Sequence, residues 1–177
     1  SDLVDIYKAE NVADRLWFPD IALQDREELK EDDHLNKEQQ FGNEFHWLIN
    51  ETISEDEINI SLERGIQLGM ISKENEQELR EKLVRTFRNE AYSELFKDAK
   101  QVLSEQSMLV DASTELRPDK IIVKPNEVIV VDYKTSSQRN VHNKQVLEYM
   151  HVLYTMGHKY VKGYLFYTAS DELIAAG

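Results

Sequence analysis

Two apolar runs separated by a four-residue turn constrain this chain more than any other feature. Ile121-Ile122-Val123 and Val128-Ile129-Val130-Val131 are short and β-branched, and they flank Lys124-Pro125-Asn126-Glu127, which has the composition of a tight turn. Together they predict a β-hairpin. Residues two apart on a strand share a face, so Asp132 and Lys134 project together while Val131 and Tyr133 face the other way. Pairing Lys124 with Glu127 sets a register that places Asp119 opposite Asp132. Directly opposed residues hold their Cβ atoms about 4.5–5.5 Å apart, and like charges there repel. Two carboxylates converging on an otherwise apolar hairpin therefore point to a cation between them. Oxygen ligands of this kind suit a hard ion such as Mg²⁺ or Mn²⁺. The Lys134 ammonium suits an attacking water or the charge growing on a phosphate. The plainer alternative is a solvated hairpin with scattered surface charges, in a chain that is 31% charged.

The order acid, hairpin turn, Asp-x-Lys resembles the PD-(D/E)xK nuclease superfamily, and its RecB-like branch in particular. Three further segments carry the resemblance. Gly42-Asn43-Glu44-Phe45-His46 is similar to the Gly-x-x-x-His segment of an early helix. Val131-Asp132-Tyr133-Lys134-Thr135 is close to the V-D-Y-K-T consensus, with Asp119-Lys120 where the family usually has Asp-Arg. Gln145-Val146-Leu147-Glu148-Tyr149 matches a Gln-x-x-x-Tyr motif on the helix after the active-site strand. The likeness covers roughly residues 42–167, and four motifs in order are more specific than any one of them.

The resemblance implies that His46, Asp119 and Asp132 bind the metal, together with the main-chain carbonyl of Tyr133. It implies that Lys134 orients or activates the attacking water, and that Gln145 and Tyr149 line the site or touch nucleic acid. Glu105 matches a less constant acidic position. Two departures stand out: Arg117-Pro118 replaces the usual Gly ahead of the first Asp, and Lys120 replaces Arg. The first would alter the approach of a DNA strand; neither removes a ligand. In this family such a module is carried at the C-terminus of a helicase of the UvrD or RecB type, in double-strand-break processing and recombinational repair. The partners implied are DNA and a helicase domain in the same or a partner chain.

At 177 residues the chain is long enough for one domain with a real core. There is no run of about 18 apolar residues, and the opening residues do not read as a signal peptide, so a cytoplasmic protein without membrane contact is expected. The sequence has no Cys, which excludes disulfides, Cys-type zinc sites and iron–sulfur clusters, and separates the chain from iron–sulfur members of the nuclease group. The net charge of −13 is awkward for a nucleic-acid enzyme. Its distribution is informative: residues 1–116 carry 13 basic and 28 acidic side chains, whereas 117–144 carry six basic and three acidic ones. The motif segment is the basic island. An isolated domain this acidic holds DNA poorly through screened attraction, so metal is expected to supply part of the affinity and a larger partner to deliver the strand.

Residues 1–35 read as a charged N-terminal segment, the end of a linker, with an apolar patch at Leu16-Trp17-Phe18-Pro19; the chain has the look of a piece of a longer product. From 36 onward a nuclease-type domain is expected, with a helical insertion at about 54–100. Phe41, Phe45, Leu48, Ile49 and Ile53 recur at helical spacing from Asn36 to Ile53. His46 lies near the edge of that buried face, where an imidazole is as a rule structural, and the plain role of Gly42 one turn earlier is close packing, which is compatible with clearing space beside a metal. Ser54-Glu55-Asp56-Glu57 reads as a capping box before a helix bearing Ile58, Leu62 and Ile66. Helices are also expected after Ser72 and over Glu90 to Lys100, and a strand over Gln101 to Val110. A polar loop should cover Ser136 to Asn140, then a helix from Val141 to Met156 and a buried strand from Tyr160 to Thr168. The order of elements gives an α/β domain with a mixed central sheet and a helical insertion; the resemblance implies that this is a restriction-endonuclease-like core flanked by helices, with an N-terminal helical region. The alternatives in function are a free-standing exonuclease or restriction-like endonuclease on the same fold, a non-catalytic DNA-binding or docking domain that keeps the fold, and a metal-dependent phosphatase.

Overall fold

A computed structural model of the chain describes residues 36–109, 115–135 and 139–177. The segment 1–35, with Trp17 and Phe18, lies outside the described residues, as do Val110 and residues 136–138 of the expected polar loop. Two compact units divide the chain, Ser1–Gln40 and Phe41–Gly177, and the second is the subject below.

Five strands form a mixed sheet in the order β1 (Gln101–Ser104), β4 (Lys120–Val123), β5 (Val128–Lys134), β6 (Val161–Tyr167) and β7 (Glu172–Ala175). β2 (Met108–Leu109) and β3 (Glu115–Leu116) pair separately. The β4–β5 hairpin is antiparallel with Lys120 opposite Val131 and Val123 opposite Val128, and the Lys124 N–H donates to the Glu127 carbonyl at 2.9 Å. That is the register read from the turn. β5 and β6 are parallel, so the chain crosses over between them, and it does so through α5 (Arg139–Thr155).

β5 is apolar along most of its length because both of its faces are covered. Ile129, Val131 and Tyr133 pack beneath Phe45, Leu48 and Ile49 of α1 (36–51), Leu62 of α2 (Ile58–Gln67), Leu79 and Leu83 of α3 (Glu76–Arg88), and Tyr92 of α4 (Glu90–Phe96). Val128 and Val130 face Tyr149, Val152 and Leu153 of α5. Burying each such side chain contributes roughly 1.5–3 kcal/mol, and the unit is therefore an α/β layer structure with helices on both sides of the sheet. Gly163 on β6 permits the approach of α5: a Cβ there would lie 2.5 Å from both the Met150 sulfur and a Val146 methyl. Among the described residues no helix is long and apolar enough to cross a membrane.

Four local expectations need correction. The strand expected over Gln101 to Val110 stops at Ser104, because Glu105 takes φ = 48° and turns the chain. Ile53 is 40% exposed, since α1 ends at residue 51, before its stripe reaches that position. The Ser54 side chain makes no cap; Glu57 instead closes the turn by accepting the Ile53 N–H at 3.0 Å. Tyr160 precedes β6 and is 70% exposed rather than buried.

Candidate metal centre

The site lies where β4 begins and β5 ends. Asp119 immediately precedes β4 and links two other elements through one carboxylate. Its Oδ1 is 3.3 Å from Nε2 of His46 on α1, and its Oδ2 accepts the Tyr133 N–H of β5 at 2.7 Å. Burial works to raise the Asp119 pKa, but the hydrogen bond and charge of His46, the Tyr133 N–H and the Lys134 ammonium outweigh it, and the net shift is downward. His46 moves the opposite way. The Asp119 hydrogen bond raises its pKa against the cost of burial, with further help from the charges of Asp119, Glu105 and Asp132. The imidazole meets the Tyr133 ring edge-on, at 6.2 Å between centroids.

Asp132 and Lys134 project together from β5, as strand alternation requires. Asp132 is 2% exposed, and burial together with the neighbouring Asp119 charge pushes its pKa up to about 6. Lys134 Nζ stands 2.6 Å from the buried Asp132 Oδ2, an ion pair that works against the upward shift without cancelling it. The ammonium also donates to Oε1 of Gln145 at 2.9 Å. Gln145 Nε2 in turn donates to the Tyr149 hydroxyl at 2.7 Å, and that hydroxyl donates to the Arg117 carbonyl at 3.4 Å. The expected lining residues are thus joined in one chain to the lysine. Tyr149 itself is largely buried against β5.

The Tyr133 side chain turns away under the helices, where its hydroxyl shares a 2.7 Å hydrogen bond with that of Tyr92. Only its main chain lies at the site. Glu105 stands beside the centre: its N–H donates to the Asp119 carbonyl at 2.8 Å, and its charge reaches His46. Its carboxylate is engaged by an ion pair with Arg117 and by the Asn50 side-chain amide at 3.3 Å. Gly42 needs correcting as a packing glycine, because a Cβ there would meet only Thr135 Cγ2, at an ordinary 3.6 Å.

His46, Asp119, Asp132 and Lys134 are therefore brought together from α1, the start of β4 and the end of β5. No three His, Asp or Glu side chains among the described residues already stand as a ready set of metal ligands; His46 and Asp119 touch each other instead. The donor set nonetheless fits a divalent ion: one imidazole nitrogen and two neighbouring carboxylates, one of which has its pKa raised by burial and by the charge of the other.

Two residues at the site escaped the sequence reading. Asn50 lies one turn beyond His46, is 2% exposed and holds Glu105; its i+4 spacing from the histidine was the available signal. Lys120, noted only as a departure from Arg, is fully buried beneath α1. Comparison with protein-family models gives no match to this chain, and comparison with curated protein sequences gives none either.

Proposed function

We propose that residues 41–177 form a Mg²⁺- or Mn²⁺-dependent deoxyribonuclease with a restriction-endonuclease-like core, of the PD-(D/E)xK, RecB-like kind. One observation carries this reading: the hairpin register and the Asp119 bridge bring an imidazole, two carboxylates and an ammonium from three separate elements to one end of the sheet. Burying Asp132 beside Asp119 costs stability that the Lys134 ammonium offsets only in part, as the raised Asp132 pKa records, and a bound divalent ion would offset the rest.

His46, Asp119 and Asp132 would hold the ion, with the Tyr133 main-chain carbonyl. When bound, the ion supplies Lewis-acid polarisation of the phosphate and acidifies a water. The protein's own groups do the rest. Lys134 Nζ donates a hydrogen bond to the attacking water or to a non-bridging phosphate oxygen, where negative charge grows as phosphorus is attacked in line with the leaving oxygen. Gln145, held by Tyr149, fixes the rotamer of Lys134 so that the ammonium stays aimed at that point. DNA delivery falls to a helicase domain in the same or a partner chain, because a net charge of −13 repels a free polyanion.

The test is cleavage of end-labelled single- and double-stranded DNA with Mg²⁺ or Mn²⁺, by wild type, Lys134→Ala and Asp132→Asn. Each variant should lose at least about a hundredfold, roughly 2.7 kcal/mol of transition-state stabilisation. Variants that both cut as fast as wild type would move the chemistry to another set of residues.

A further inference from the structure

The end of α1 is closed entirely by side chains. A helix leaves its last four carbonyls without intrahelical partners, and here each finds one: the Thr52 hydroxyl donates to Leu48 O at 2.8 Å, Lys120 Nζ to Ile49 O at 2.7 Å, the Ser104 hydroxyl to Asn50 O at 2.6 Å, and the Ser61 hydroxyl to Glu51 O at 3.5 Å. Lys120 also donates to Thr52 O at 2.7 Å. Three of these donors are ordinary hydroxyls. The fourth is an ammonium with no exposed surface, facing the rings of Phe96 and Tyr133 at 5.6 and 5.8 Å from their centroids.

Burying an ammonium costs several kcal/mol, and Lys120 occupies the same strand face as Ile122, where an apolar side chain would pack without that cost. The negative end of the helix dipole, two carbonyls, two aromatic faces and the charges of Asp119, Glu57 and Glu51 offset that cost in part, and burial still lowers the Lys120 pKa to about 7. Its placement is what matters. Ile49 is three residues beyond His46 on α1, and Lys120 directly follows Asp119. The Lys120 side chain thus ties the backbone that carries His46 to the backbone that carries Asp119.

We infer that Lys120 is a positioning residue for the metal centre: by pinning the C-terminal end of α1 to the first residue of β4, it fixes the distance between His46 and Asp119. The inference rests on the metal reading above. A metal ion needs ligands held at closely defined distances, and groups outside the ligand set that fix them change affinity tenfold to a hundredfold. Ser104 and Asn50 tie the same helix end to β1, but β1 carries no ligand. Lys120 alone among the four donors sits next to one.

The experiment measures Mn²⁺ binding by titration calorimetry, and thermal melting in EDTA, for the full chain as wild type, Lys120→Met, Lys120→Arg and Val161→Ala. Val161 is buried in the other core cluster and pairs with Val128, at the opposite end of β5 from Asp132, so its truncation lowers the melting temperature without touching α1's end. Lys120→Met should weaken Mn²⁺ binding at least about tenfold, Lys120→Arg should recover most of that loss through its own charged donors, and Val161→Ala should leave the affinity within about twofold. Equal weakening in Val161→Ala and Lys120→Met, or unchanged affinity in Lys120→Met, overturns the inference. So does a chain that fails to fold with either Met or Arg at 120, which would make the lysine a folding residue. Wild-type protein that binds no Mn²⁺ overturns the metal reading itself, and the inference with it.

Discussion

Replacing Asp132 with Asn should make the metal-free protein more stable while it abolishes activity. Burial and the Asp119 charge raise the Asp132 pKa from 3.8 to about 6, and each unit is worth 1.36 kcal/mol, so ionised Asp132 costs the metal-free fold up to about 3 kcal/mol. Because the folded pKa lies above the unfolded one, that cost is fully present above about pH 6 and disappears as pH falls toward 3.8. Asparagine removes it at neutral pH. That shift is already net of the attraction of Lys134, 2.6 Å away, and the ammonium keeps its hydrogen bond to Gln145 and the charge of Asp119. The expected gain is about 1–3 kcal/mol, at roughly 2–4 °C in melting temperature per kcal/mol for a chain of this size. The assay is thermal unfolding in EDTA near pH 8 and again near pH 4. Asp132→Asn should melt higher at the first and lose its advantage at the second. A variant that melts below wild type near pH 8, or a gain independent of pH, would refute the claim that Asp132 is held charged against its surroundings.

Ligation as proposed requires Asp132 ionised and His46 neutral, and both pKa values are raised in the folded protein. Mn²⁺ affinity should therefore begin to fall as the pH drops through the raised His46 pKa, and more steeply below about pH 6, by up to about two decades per pH unit once both protons must leave; calorimetric affinities that stay constant between pH 5.5 and 8 would contradict the assigned ligands. Gly163→Ala forces a methyl into the space of Met150 and Val146 and should cost about 1–3 kcal/mol by denaturant melting. A neutral result there would mean that α5 is free to shift on the sheet. Phenylalanine at Tyr92 should cost about 1–2 kcal/mol, because the buried Tyr133 hydroxyl loses its partner at 2.7 Å, and phenylalanine at both positions should recover part of that loss; strictly additive losses in the double variant would show that the pair is not coupled.

The hairpin was legible because its information is local. A four-residue turn and an alternation of two fix the register without reference to the rest of the chain, and Lys120 opposite Val131 is what they require. The stripes of α1, as far as Ile49, and of α2 were legible for the same reason, through the period of 3.6. What failed was set by contacts between elements. Glu105 looked like one more strand residue, yet Asp119, Arg117 and Asn50 engage it from three directions and turn the chain into a left-handed conformation. Lys120 was noted only as a replacement for Arg, because nothing near it in sequence shows that a helix end reached across a separation of 71 residues lies above it. Capping partners contributed by distant elements leave no periodic signal. The Ser54 capping box was misread for a local reason: the sequence holds the right residues, and the turn uses Glu57 alone.

The position of the site follows from the order of strands. In an open sheet with parallel strands, the carboxyl end of a strand and the start of the following helix converge on one edge, where ligand groups gather. β5 runs to that edge carrying Asp132 and Lys134, and α5 leaves it carrying Gln145 in its first two turns. The eleven-residue gap between Lys134 and Gln145, which looked arbitrary in the sequence, is the length of chain needed to begin a crossover back to β6. β4 runs the opposite way and starts at the same edge, so Asp119 arrives there without a turn of its own. The register of the hairpin is set at its far end, by Lys124 and Glu127. A slip of one residue there would turn Asp132 into the apolar layer under α1 and send Tyr133 toward α5, and the many apolar contacts of Ile129, Val131 and Tyr133 forbid it. The buried core thus fixes the hairpin register that holds Asp119 and Asp132 side by side, with the Lys134 ammonium against the second of them.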